Sequence, residues 1–570
     1  MEHLLGTGVS AGIAIGAVRM KKESTSDFPR RSISDSEHEW ERFIEAKQQG
    51  RQQLEALVEQ SRKSIGEDEA QIFEAHILIL EDEEMAALVK TQIQNQNKNT
   101  EWAVHEAAEH FAVMLESLDD AYLKERALDI RDVSARLIRI LCGADKHESL
   151  VADKPCIIIA RDLMPGDMVH LNKDMVIGIV TEAGAKTSHT AILAKAMGIP
   201  AIVGAAGILE KVKDDETIVF DGELGSIFIN PEAGIMTQYI ERLEQLNAQK
   251  KELEGYKDKA AVTKDGIEVE LFGNMASTAE LPGLVENGAQ GIGLFRTEFL
   301  YTTQDSAPSE EEQFKTYKRT AEKMAGKTVI IRTLDIGGDK EIPYLGLEKE
   351  ENPFLGCRGI RLCFDKVEMW KVQLRALLRA SVYGDIRIML PMISVIEEVR
   401  QAKAIINEVK TELRGKGIPF NEKLEIGIMI ETPAAAMIAD VMASEVDFFS
   451  IGTNDLIQYT LACDRMNPKI SYLYSQFNPS VLRLIKHIID VGHEYGIKVG
   501  MCGEAAGDVR LIPLFVGMGL DEFSMNTSAL LEAKKTITQI SKLEMSKQVS
   551  AVLKLKTAEE VEAYLKNECC

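Results

Sequence analysis

The sequence predicts a multidomain α/β protein in which a compact α/β module is interrupted by an inserted all-helical domain and followed by a C-terminal (β/α)8 barrel. Three observations carry this reading. From about residue 33 to 143 the chain is strongly helical, with only Gly50 and Gly66 before Gly143. Strand-forming runs lie on both sides of that stretch. Beyond residue 262, a short apolar run, a polar or glycine turn and a helical segment recur eight times, the rhythm of a (β/α)8 barrel. At roughly 100 to 200 residues per domain the chain has room for several such units. The expected boundaries are 1–20 and 145–230 for the α/β module, 21–144 for the helical insertion, 231–261 for a linker helix and 262–570 for the barrel.

Residues 4–20 mix strand formers with glycines, and isolated strands need partners for their backbone groups. Ile157-Ile158-Ile159, Val176–Val180 and Ile218-Val219-Phe220 provide them, so the first twenty residues belong with that later segment. Within the insertion, Ile72, Phe73, His76, Ile77 and Leu80 recur at helical spacing and form one buried stripe. Glu67, Asp68, Glu69, Glu81, Asp82, Glu83 and Glu84 flank it. They are either solvated surface or a dock for a basic protein. In 232–254, Ile235, Met236, Tyr239, Ile240, Leu243 and Leu246 share one face of a helix that leaves the module as a hinge arm. The barrel runs begin near Val269, Gly291, Val329, Ile386, Ile426, Phe448, Val499 and Phe523. Active groups are expected at the C-terminal ends of such strands.

Composition narrows the class. A formal charge of -24 and a pI near 5.0 argue against broad nucleic-acid binding. The eight cysteines contain no CxxC pair, so no zinc or redox motif follows, and a reducing cytoplasm is the economical reading. The opening MEHLLGTGVSAG lacks a basic region followed by a sustained apolar core and no run approaches membrane length, so a protein that is not exported is expected.

Two sets of residues carry chemistry. Thr181–Lys195, TEAGAKTSHTAILAK, places a strand end, a glycine turn and Ser/Thr hydroxyls just before an apolar helix that opens at His189. Helix N-termini favour anions, and neutral imidazole is a nucleophile suited to carrying a phosphoryl group. Alone, a histidine after a Thr-Ser cap is more often a capping or surface residue. In the barrel, Arg296 lies in GIGLFRTEFL, Arg332 in IRTLDIGGDK, Glu431 in IMIETPAAA, Asn454, Asp455 and Arg465 in FFSIGTNDLIQYTLACDR, and Cys502 in GMCGEAAGD. Guanidiniums suit phosphate and carboxylate, and Glu431 and Asp455 offer the hard oxygens that Mg2+ takes alongside water and phosphate. Taken singly, each arginine reads as a surface residue, each carboxylate as a cap, and Cys502 as a small buried side chain.

TSHTAILAKAMGIPAIVG, the five barrel clusters and NPFLGCRGIR (352–361) together resemble the Enzyme I family of phosphoenolpyruvate-dependent sugar phosphotransferase systems along nearly the whole chain. The resemblance implies a swivelling phosphohistidine domain bearing His189. It further implies phosphoenolpyruvate binding by Arg296, Arg332, Asn454, Asp455 and Arg465, with Mg2+ held by Glu431 and Asp455. Cys502 matches the proton donor to the enolpyruvate carbon. Pyruvate is then released, the phosphoryl group passes to the histidine carrier protein HPr on the helical insertion, and the barrels pair as a homodimer in the cytoplasm, without nucleic acid or membrane insertion. Lys195 stands where some relatives have Arg, Cys357 where many have an aromatic residue, and Phe295 where Leu is usual.

The rival enzymes are pyruvate phosphate dikinase and phosphoenolpyruvate synthase, which also need a nucleotide-grasp domain for which no segment is seen. A nitrogen-regulatory variant would begin with a sensory domain, whereas this sequence starts at the module's first strand. A non-catalytic regulatory scaffold would retain the fold without this set of charged and nucleophilic residues.

Overall fold

The computed structural model describes residues 1–21, 28–64, 67–117, 121–143, 154–172, 175–186, 188–302, 306–337 and 342–568. The side chains of Glu67, Asp68 and Glu69, part of the acidic run noted above, lie outside the described residues, as does Thr187. The chain divides into two compact units, Met1–Ala248 and Gln249–Cys570.

In the first unit, β1 (Glu2–Leu5), β2 (Thr7–Ser10) and β3 (Ile13–Met20) precede five helices: α1 (Ser36–Ser64), α2 (Glu67–Glu81), α3 (Glu83–Gln96), α4 (Thr100–Glu116) and α5 (Ala121–Leu141). After them come β4 (Cys156–Ala160), α6 (Pro165–Val169), β5 (Val176–Thr181), α7 (His189–Met197), β6 (Ala201–Val203), α8 (Ile208–Lys211), β7 (Thr217–Asp221), β8 (Ser226–Ile229) and α9 (Ala233–Glu254). The eight strands form one sheet in the order β1-β8-β7-β3-β4-β5-β6-β2. β3 pairs in parallel with β4 from Ala17 opposite Cys156 to Met20 opposite Ile159. The strands before the helical segment and those after it thus complete one sheet, and the helices are an insertion.

The inserted helices bury Phe43, Leu54, Phe73, Val89, Ile93 and Leu137 in a core of their own. Val169 of α6 joins that core, and Gln60 Nε2 donates to the Val169 carbonyl at 3.2 Å. Of the described acidic residues flanking α2, Asp82 caps α3 by accepting from the Met85 amide at 2.7 Å, and Glu83 and Glu84 fill its first turn, where the helix dipole favours negative charge. The first half of α9 does not stand free: Ile235, Met236 and Leu243 pack around Ile13, Val219 and Tyr239, and Arg242 pairs with buried Asp221 at 2.7 Å.

The second unit is a closed parallel barrel of β9 (Glu270–Met275), β10 (Ile292–Phe295), β11 (Val329–Arg332), β12 (Ile386–Leu390), β13 (Ile426–Ile430), β14 (Phe448–Ile451), β15 (Lys498–Met501) and β16 (Glu522–Met525), closed by β16 against β9. Leu294, Ile330, Met389, Met429, Phe448 and Cys502 form a separate buried cluster of apolar side chains drawn from neighbouring strands, as expected of a barrel core filled in layers. Among the described residues no helix is long and apolar enough to cross a membrane.

Candidate active site

His189 is the first residue of α7. Ser188 is extended at the N-cap position and accepts from the Ala191 amide at 3.4 Å. Thr190 is almost fully buried, and its hydroxyl is within 3.0 Å of both the Asp162 carboxylate and the Leu163 carbonyl. Locked on both sides, the helix start presents the His189 side chain 29% exposed. Lys195 is exposed in the last turn of α7, where a cation suits the helix C-terminus, and the far end of the helix separates it from His189.

In the barrel, all seven side chains singled out from the sequence line one cavity of about 570 Å3: Arg296, Arg332, Glu431, Asn454, Asp455, Arg465 and Cys502. All but Arg465, which follows the helix after β14, stand at or just beyond a strand's C-terminal end. Arg332 closes β11, Arg296 follows β10, Glu431 follows β13 and Cys502 follows β15. Asn454 and Asp455 begin the helix Thr453–Leu461 after β14. A Cβ on Gly503 would lie 1.7 Å from Thr453 Oγ1, so only glycine lets the turn after Cys502 press against that helix start. The Asn454 side-chain oxygen accepts from the Glu504 amide at 3.0 Å and ties the two loops together.

Four further charged residues that the sequence does not single out line the cavity: Glu298, Asp335, Arg358 and Glu504. Arg332 Nη2 lies 3.1 Å from Glu298 and its Nη1 3.0 Å from Asp335. Arg358 pairs with Asp335 at 3.1 Å and approaches Asp455 at 3.8 Å. These buried pairs fix the guanidiniums before any ligand arrives. No ion pair holds Arg296 among the described residues. All four residues fall inside the sequence motifs quoted above, so their signal was present, but nothing local separates a ligand-facing charge from its supporting partner.

The lining carries four arginines and five carboxyls, the fifth being Glu504. A small trianion would meet net negative charge there unless a cation were added. Glu431 registers the same imbalance: burial, then repulsion from Asp455 and Asp335, raises its carboxyl well above the ordinary range. Its Oε1 accepts at 2.6 Å from the amide of Met392, a non-glycine residue at φ 56°, a strained conformation of the sort that clusters at functional sites. Asp455 Oδ1 is buried without a hydrogen-bond partner, with Arg465 Nη1 4.0 Å from it. Two crowded carboxylates, one with an orphaned oxygen, fit a divalent cation. Among the described residues no group of three His, Cys, Asp or Glu side chains could hold one, so such an ion would complete its shell with water and ligand oxygens.

Cys502 is 2% exposed against Leu294, Met429 and Phe448. Burial pushes its thiol up to about 12, so at neutral pH it is a protonated thiol and not a thiolate.

Comparison with known proteins matches this geometry. The PEP-binding domain of the PEP-utilising enzymes matches residues 250–542, their mobile domain residues 152–225, and their N-terminal domain residues 5–126. The phosphoenolpyruvate-protein phosphotransferase of Staphylococcus carnosus is 45% identical over 541 residues, covering 95% of this chain and 94% of its own. That of Bacillus subtilis is 46% identical over 542 residues and 95% of each chain. The chain belongs to the phosphoenolpyruvate-protein phosphotransferase family. A solution structure of the Enzyme I protein nEIt aligns with 43% of this chain and 99% of its own, at 34% identity and a TM-score of 0.37. As a member of the phosphotransferase family the protein is a transferase, and the family's mobile domain is the segment that contains His189.

Proposed function

We propose that the protein moves the phosphoryl group of phosphoenolpyruvate onto His189 with release of pyruvate, and then onto the histidine carrier protein HPr as the first step of sugar uptake. The observation that carries this reading is the barrel cavity, where four guanidiniums, two crowded carboxylates and a protonated thiol share one small space. Phosphoenolpyruvate offers a phosphate and a carboxylate for those guanidiniums and an enol carbon that needs a proton.

Arg296, Arg332, Arg465 and Asn454 bind and orient the substrate, while Glu298 and Asp335 hold Arg332 and Asp335 also holds Arg358. Glu431 and Asp455 hold Mg2+, which when bound supplies positive charge against the phosphate. His189 attacks phosphorus, a transfer in which positioning and charge neutralisation do most of the work. Cys502 gives its proton to the departing enolpyruvate carbon. His189 belongs to one compact unit and the cavity to the other, so loading is a reaction between the two units, for which the α/β module swivels.

HPr docks on the helical insertion, where exposed Asp82, Glu83 and Glu84 favour a basic partner. The barrels pair as a homodimer, in keeping with apolar side chains such as Leu355, Met437 and Tyr472 that the barrel unit exposes by more than 60%. The six described cysteines are free thiols, in keeping with the cytoplasm. The test is pyruvate release from phosphoenolpyruvate with Mg2+ and HPr and no nucleotide; a scaffold or a nucleotide-dependent enzyme releases none.

A further inference from the structure

The helical spacing of the sequence makes His76 one member of an apolar stripe. It is indeed buried, at 1% exposure, but its polar edges are not idle. Its Nε2 lies 3.3 Å from Asp129 Oδ1 and its Nδ1 3.6 Å from Asp132 Oδ2. Both aspartates project from α5 and both are buried. The same Asp129 Oδ1 lies 3.7 Å from Nδ1 of His189, and the two imidazole rings stand edge to face with centroids 6.5 Å apart. The other Asp129 oxygen faces Arg126 at 3.4 Å. One carboxylate oxygen of the helical domain therefore sits between a buried histidine and the histidine at the start of α7.

We infer that Asp129, anchored by His76, is a positioning residue that keeps the proton on Nδ1 of His189 and so leaves Nε2 to carry the phosphoryl group during transfer to the acceptor. The inference rests on the phosphotransferase reading above. A carboxylate oxygen only accepts, so the nitrogens turned toward it, His76 Nε2 and His189 Nδ1, are the protonated ones. At 3.7 Å the His189 contact is longer than a hydrogen bond, as catalytic contacts often are before the reacting partner is bound.

The transfer step explains why the proton matters. The Nε2–P bond breaks, a bond forms between phosphorus and the acceptor imidazole nitrogen, and the electron pair of the broken bond returns to Nε2. With the proton retained on Nδ1, His189 departs as neutral imidazole. Without it, the leaving group is imidazolate, a far stronger base and a poorer leaving group. Asp129 stabilises the positive charge that the phosphorylated ring carries before the bond breaks. Because Asp129 belongs to the inserted helices, its grip operates where those helices face α7, which is the side of the reaction that unloads His189.

The experiment separates loading from unloading in the full-length enzyme. Rapid-quench measurement of pyruvate release from phosphoenolpyruvate without acceptor reports loading; passage of label from the phosphorylated enzyme to purified HPr reports transfer. In Asp129→Asn, the ratio of the transfer rate constant to the loading rate constant falls at least tenfold, with the KM for HPr within twofold of wild type. Asp132→Asn, which loosens His76 but leaves Asp129 in place, gives a smaller fall in the same direction. An unchanged ratio in a folded Asp129→Asn enzyme overturns the inference. So does a raised KM at unchanged rate constant, which would make Asp129 part of a docking surface. If Asp129→Asn does not fold, an unchanged ratio in Asp132→Asn has the same force. Absence of pyruvate release from the wild-type enzyme would instead overturn the phosphotransferase reading.

Discussion

Replacing Cys502 by Ala isolates one chemical role from the rest of the cavity. The thiol is pushed up to about 12 by burial, so at pH 7 it is protonated, and in the proposed reaction it serves as an acid. Losing a positioned general acid slows the assisted step by roughly 10²- to 10⁴-fold, which is about 3–5 kcal/mol of barrier. The substitution removes one sulfur atom from a pocket formed by Leu294, Met429 and Phe448. That costs on the order of 1 kcal/mol of stability and leaves the barrel folded. Pyruvate formation in a lactate-dehydrogenase-coupled assay with saturating HPr should therefore fall at least 100-fold. Labelling of His189 in the reverse direction, from phosphorylated HPr, should persist, because no carbon is protonated in that step. A wild-type rate of pyruvate formation, or equal loss of both reactions, would refute the assignment.

Other substitutions test the supporting chemistry. Glu431→Gln should raise the Mg2+ concentration needed for half-maximal pyruvate formation at least tenfold; an unchanged requirement removes Glu431 as a ligand. Glu522, buried between Gly293 and Gly500 at the start of β16, has its carboxyl pushed up from 4.5 to about 8, chiefly by burial and then by Glu270. The folded state holds this proton where the unfolded state has lost it, so its contribution to stability declines as pH rises from about 4.5 to about 8, by at most about 4–5 kcal/mol. Glu522→Gln should thus be more resistant to urea than wild type at pH 9 and no more resistant at pH 4.5; equal gains at both pH values would contradict this. Thr190→Val removes a buried hydroxyl shared by Asp162 and Leu163 and should cost about 1–2 kcal/mol in urea unfolding of the first unit.

The barrel was legible because each strand announces itself. The eight apolar runs from Val269 to Phe523 coincide with the eight strands, since parallel strands buried on both faces read as unbroken apolar segments. The insertion was legible because β3 has no partner until β4 and β7 arrive more than a hundred residues later. Charge chemistry was harder to read. Arg332 and Asp335 are three residues apart, and nothing in that spacing reveals that Arg358 and Glu298 complete their network. The distinction depends on side chains brought together by closure of the barrel. His76 illustrates the same limit from the other side, because helical periodicity predicts burial and is silent about the aspartates on α5 that meet it.

The central claim is that His189 carries the phosphoryl group, and the most direct measurement of it uses phosphoenolpyruvate labelled with 32P at phosphorus, Mg2+ and no nucleotide. Acid-labile, alkali-stable label is expected on a single peptide containing His189, and none in a folded His189→Ala enzyme. Undiminished label in His189→Ala, or label on a peptide from any other part of the chain, would contradict it.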